Sequence, residues 1–286
     1  MKRTTEGWGS GLLGVIIFSG SLPATRIAVA GFSPIFLTCS RAVIAAVLGG
    51  AFLFALRQPR PARRDVLPLV LVAVGCVVGF PLLTALALQQ ITAAYSIVFV
   101  GLLPLATAIF GVLRGGEQPR PCFWLFSSIG AAAVTGFALY GSKAGNVSGD
   151  LLMVAAILVC GLGYAEGATL SRRLGGWQVI SWSLLLSLPL MALIAMACLP
   201  ANLGTVRTSS WIGLAYVSVF SMLVGFIFWY RGLALGGIAG VGQLQLLQPF
   251  FGLLLAALFL HEPITWSMVI STCIVIACVA GAKRFS

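Results

Sequence analysis

AYSIVFVGLLPLATAIFGVLRGGE, residues Ala94–Glu117, and AGVGQLQLLQPFFGLLLAALFLHE, residues Ala239–Glu262, align without a gap. The alignment sets Pro104 on Pro249 and Glu117 on Glu262, with twelve residues between proline and glutamate in each. Just upstream, Ala87-Leu-Gln-Gln-Ile91 parallels Ala234-Leu-Gly-Gly-Ile238 with a slip of two residues. The offset, about 145 residues, is half of the 286-residue chain. Each stretch is apolar over roughly 20 residues, the length a helix needs to cross ~30 Å of hydrocarbon.

Around these two stretches the composition is that of a chain dissolved in lipid. Hydrophobic residues make up 60% and charged residues only 8%, against roughly 25% charged in soluble domains. The mean hydropathy is +1.08. No single core hides that much apolar surface, and disorder needs the opposite composition. The chain divides into ten apolar segments, at about 8–30, 34–56, 66–88, 92–113, 121–141, 150–171, 177–199, 210–233, 238–260 and 264–283. Polar, turn-rich stretches such as Arg57–Asp65 and Arg114–Arg120 separate them. The expected fold is an all-α integral membrane protein of ten transmembrane helices. It forms one membrane domain from two five-helix repeats, 1–145 and 146–286. The first segment runs past Pro23 and Arg26, longer than a signal-peptide core, and reads as a retained helix.

A net charge of +11 suggests nucleic acid in a soluble protein, but these charges sit singly between apolar runs and no nucleic-acid partner is expected. Sorted by loop, thirteen of the 17 basic residues fall on the side of the N-terminus. Arg26, Lys143 and Arg207 fall on the other side, and Arg41 lies within the second segment. This positive-inside bias predicts cytoplasmic N- and C-termini in a multi-pass protein of the bacterial cytoplasmic membrane. Five helices per half is an odd number, so the two halves insert with opposite orientations. Inverted repeats of this kind are typical of alternating-access transporters, with the binding site near the midplane between the halves.

The two halves, each closing its fourth helix with a proline-containing run and a Gly116-Glu117 or His261-Glu262 turn, resemble the drug/metabolite transporter superfamily, EamA type. The first helix (Gly9-Ser-Gly-Leu-Leu-Gly14, Phe18-Ser-Gly-Ser-Leu-Pro-Ala-Thr-Arg26) and Ala87-Leu88 are similar to the family as well. The resemblance covers nearly the whole chain, and departs from the family's commonest pattern at Gln118-Pro119. It implies a secondary carrier, and its likeness to bacterial amino-acid exporters implies efflux of aromatic and other apolar amino acids. The alternative cargo is another small metabolite or a drug-like cation.

Polar residues inside spans are costly, so each is a candidate for function. Glu166, in the sixth segment, either carries a proton or an ammonium, or pairs locally near the inner end. Arg41 either holds a substrate carboxylate through its guanidinium fork or snorkels toward the outer boundary. Gln245 and Gln248, three apart, share a helix face. Ser19, Ser21, Tyr95, Ser96 and Tyr164 lie at similar depths, with Phe99 as an apolar wall. Together they form the candidate substrate-binding set, though Ser and Gln also join helix to helix in membranes. Pro104 and Pro249 are either hinges for rocking of the halves or static kinks. Phe226-Ile-Phe-Trp-Tyr230 reads as an interfacial anchor. Gly7/Gly11, Gly75/Gly79 and Gly232/Gly236/Gly240 read as helix-packing faces, and secondarily as a homodimer contact.

No P-loop, GxSxG or HExxH motif occurs, so neither ATP-driven transport nor a Ser/His or zinc hydrolase is supported. The seven cysteines include no CxxC pair and read as small apolar residues. No catalytic group, cofactor or metal site is expected. The expected partners are a small-molecule amino-acid substrate and the lipid bilayer. A channel or an intramembrane enzyme is the competing class.

Overall fold

A computed structural model of the chain describes residues 2–115, 120–141, 147–236, 238–261 and 263–284. The paired glutamates Glu117 and Glu262 lie outside the described residues. Within these, the chain is helical and contains no strand. We name the helical rods α1 (Lys2–Ser19 and Ser21–Ala28), α2 (Pro34–Ala55), α3 (Arg63–Gln90), α4 (Ala93–Val100 and Leu103–Gly115) and α5 (Pro121–Gly141). They continue as α6 (Val147–Leu174), α7 (Gly176–Ala197), α8 (Thr208–Gly236), α9 (238–260) and α10 (Trp266–Arg284). Among the described residues seven rods, α1 to α4 and α6 to α8, are long and apolar enough to cross a membrane. Leu244–Leu260 and Trp266–Cys278 are shorter apolar helices. Large apolar side chains cover the perimeter, with Phe54 88%, Trp266 81% and Leu113 70% exposed. Such a surface is stable in hydrocarbon and not in water.

The rods depart from ideal helix at matched places. In α3, Ala73–Gly79 is a π-helix that ends with the Phe80 N–H bonded to the Gly75 carbonyl, five residues back. In α8, Tyr216–Val224 is a π-helix that ends with the Gly225 N–H bonded to the Phe220 carbonyl. Both members of the second bond stand 145 residues after those of the first. Likewise α4 breaks at Gly101-Leu102 and resumes as a 13-residue helix with Pro104 second. In α9 a 3-10 stretch, Gln243–Leu247, precedes a 13-residue helix with Pro249 second. The two prolines therefore sit in first turns, where the missing N–H costs nothing, rather than kinking a continuous helix.

The main interfaces join the first five rods to the last five: α1 to α8, α2 to α7, α3 and α4 to α6, α4 to α9, and α5 to α10. Antiparallel α1 and α8 come together backbone to backbone. A Cβ on Gly7 would lie 2.7 Å from the Gly236 nitrogen, and one on Gly232 would lie 2.7 Å from the Gly11 nitrogen. The glycine faces expected from spacing are thus used inside the protomer. The aromatic run of α8 is also internal. Phe226, Trp229 and Tyr230 are 5%, 0% and 0% exposed, so the expected interfacial anchor is part of the core. Helical periodicity turned these rings toward α1 and α6, a direction that a run of five neighbouring residues does not reveal.

Candidate functional site

The rods meet around a closed space at mid-depth. Ser21 of α1, Arg41 of α2, Cys76 and Pro81 of α3, Leu103 of α4, Tyr164 of α6, Ser221 of α8 and Gln248 of α9 face it. Its volume is ≈ 20 Å³, room for about one water and well short of the roughly 300 Å³ at the small end of ligand pockets. As it stands, the space is too small to admit a metabolite.

Polar chemistry in this space is arranged across the two halves. The Ser21 and Ser221 hydroxyls are 2.7 Å apart and hydrogen-bonded. An Arg41 terminal nitrogen donates to Ser221 Oγ at 3.2 Å. Arg41 is 5% exposed and its Nε has no partner. Gln248 Oε1 is buried and unpartnered as well. The expectation that Arg41 snorkels is corrected, since its side chain turns inward to Ser221. Aromatic rings form the opposite wall. Phe18 lies 5.0 Å from Phe226 and 6.4 Å from Tyr164, and Tyr164 lies 5.6 Å from Trp229, centroid to centroid. Behind them the Tyr230 hydroxyl donates to the Gly163 carbonyl at 3.2 Å.

Of the candidate set, Ser21, Arg41, Tyr164 and Gln248 face this space. Ser19 and Ser96 instead donate to carbonyls of their own helices, Val15 at 2.7 Å and Thr92 at 2.9 Å. Tyr95 packs against Phe99 and donates a long bond of 3.4 Å to Asp150. Gln245 is fully buried with both amide atoms unpartnered. Glu166 is buried and ion-paired with Arg114. Ser221 went unnoticed in the sequence, where Cys76 reads as a packing residue and Phe226 as part of an interfacial anchor. A mid-span serine on the same helix as a predicted anchor was the only signal for Ser221, and it does not announce a partner 180 residues away.

Contacts between separate rods lie toward both ends of the bundle. On one side Arg114 and Glu166 tie α4 to α6, and Arg173 meets Asp65 at 2.8 Å to tie α6 to α3. On the other, Arg26 donates to the Leu88 carbonyl and Tyr95 to Asp150. A larger space of about 290 Å³ lies among α1, α8 and α9. Its walls are almost wholly apolar, and the Tyr216 hydroxyl there is already committed to the Ile17 carbonyl at 2.8 Å. It can hold an acyl chain, but besides Tyr216 it offers a polar metabolite only the Ser209 hydroxyl and no charged group, so the smaller, polar space is taken as the candidate site.

Comparison with known proteins agrees with a transporter. The chain is similar to a transporter of Bacillus subtilis (strain 168), YdeK, at 61% identity over 286 residues, the full length of both. A protein of known crystal structure is similar over 99% of this chain and 100% of its own, with a TM-score of 0.71 at 20% identity, a likeness of fold alone. The EamA-like transporter family matches the chain twice, over residues 7–139 and 147–282. With nearly all of its length matched, this membrane-spanning chain belongs to the EamA-like transporter family.

Proposed function

We propose that this transporter is a secondary exporter that moves apolar and aromatic amino acids across the bacterial cytoplasmic membrane by alternating access. In this reading all ten rods cross the membrane as two inverted five-helix halves, with both termini in the cytoplasm. The shared shift of 145 residues in the π-helices and in the Pro104 and Pro249 helices supports the duplication, as does the double family match. The loop charges support the orientation.

The observation that carries the reading is the small polar space at the seam between halves, with contacts that join separate helices toward both ends of the bundle. The helix breaks before Pro104 and Pro249 are the hinges. Opening inward separates α6 from α3 and α4 by parting Arg114 from Glu166 and Arg173 from Asp65. Opening outward parts Arg26 from Leu88 and Tyr95 from Asp150. Arg41, with an idle Nε and no carboxylate beside it, suits a carboxylate and disfavours an organic cation. Flux through such a cycle saturates and shows trans-stimulation. Counterflow in proteoliposomes against a panel of amino acids, with and without a proton gradient, is the test. A non-saturating conductance would mark a channel, and no flux for any amino acid would reject the cargo.

A further inference from the structure

The cavity's charges distinguish the two ends of an amino acid, and this inference rests on the transport reading above. The chain has six acidic residues, and of the four among the described residues none faces the cavity. Asp65 and Glu166 are held by Arg173 and Arg114. Asp150 accepts from Tyr95. Glu6 is exposed near the N-terminus. Among the described residues the space thus presents one cation, Arg41, with only neutral acceptors around it.

The two ends of an amino acid fare differently there. A carboxylate takes two charge-assisted bonds from the guanidinium fork and cancels a buried charge. An ammonium leaves water for Gln248 Oε1, the serine hydroxyls and ring faces, with no negative charge to meet it. It also faces repulsion from Arg41.

We infer that this is a carboxylate site first, selecting small monocarboxylates with an apolar or aromatic group, and that the amino group is dispensable. A deaminated acid keeps the bonds to Arg41 and leaves no ammonium to bury. The cargo class therefore extends beyond amino acids to plain aryl and branched-chain carboxylates.

The test uses the purified full chain in proteoliposomes, with counterflow of labelled phenylalanine and, separately, of labelled 3-phenylpropanoate. Each is challenged with unlabelled phenylalanine, 3-phenylpropanoate or 2-phenylethylamine. The acid is expected to compete at least as well as phenylalanine, and the amine at least about tenfold more weakly, the weight of one charge-assisted bond. An amine that competes as well as the acid overturns the carboxylate preference while leaving the transport reading intact. Movement of 3-phenylpropanoate without movement of phenylalanine overturns the amino-acid cargo and supports the carboxylate site. Movement of neither overturns both. Arg41→Gln is expected to abolish the advantage of acid over amine, and Arg41→Lys to keep it at reduced affinity. An unchanged preference in Arg41→Gln would overturn the assignment to Arg41. The wild-type panel decides the preference itself even where a variant does not fold.

Discussion

Arg41 and Glu166 are charged side chains buried within the sequence's apolar segments, 5% and 6% exposed, yet their surroundings are opposite. Glu166 has an arginine, Arg114, reaching it from α4. Arg41 has a serine hydroxyl and an idle Nε. Taking either charge out of water costs several kcal/mol or more, and only a close opposite charge offsets it. Glu166 is accounted for by the fold, because its partner ties two halves together. Arg41 is not, and an uncompensated buried charge beside a closed polar space is what a protein retains for a ligand rather than for stability.

Arg41→Gln tests this contrast with the largest expected effect. Transport is expected to fall by about a hundredfold, the loss of two charge-assisted bonds, while resistance to unfolding in detergent holds or rises. A variant that unfolds easily yet transports normally would invert the contrast. Arg114→Gln is expected to do the reverse and strand the Glu166 carboxylate. Stability should drop by roughly 2 kcal/mol, below the full penalty for a wholly buried pair because Arg114 is half exposed. Denaturant titration reads that drop. Glu166→Gln should cost less than about 1 kcal/mol, since the freed Arg114 reaches water or headgroups. The same variant examines coupling. A carboxylate that carries the driving proton is lost with it, so uptake driven by a pH gradient stops while exchange persists, and unchanged driven uptake leaves Glu166 a latch alone. The smallest effect belongs to a neutral control, Tyr230→Phe. It removes the bond to the Gly163 carbonyl and should cost about 0.6 kcal/mol, as single polar contacts between membrane helices do.

Much of the architecture was legible because lipid imposes a one-dimensional rule. A span must be apolar and about 20 residues long, so segments such as 121–141 and 34–56 coincide with Pro121–Gly141 and Pro34–Ala55. The ends were less legible. Helices α3 and α6 run about a turn past their apolar segments, from Arg63 to Gln90 and from Val147 to Leu174, since charged residues continue a helix into the interface. Within the site, burial was legible and partnership was not. Ser21, Arg41, Tyr164 and Gln248 were found because polar residues are rare in spans. Nothing near Glu166 in the sequence points to Arg114, 52 residues earlier, and nothing near Arg41 points to Ser221. Rotation about the helix axis decides such pairs. The π-helices change that rotation without any marker in residue type.

Those π-helices carry a consequence for tolerance to indels. A widened turn holds an extra residue in the coil, and it falls at matched places in α3 and α8, 145 positions apart. It acts as a timing element in the thread of the helix. Removing one residue from Ala73–Gly79 would restore an ordinary turn and swing everything beyond it by about 100°. Phe80 and Pro81 would leave the cavity wall, although no residue touching the cavity had been substituted.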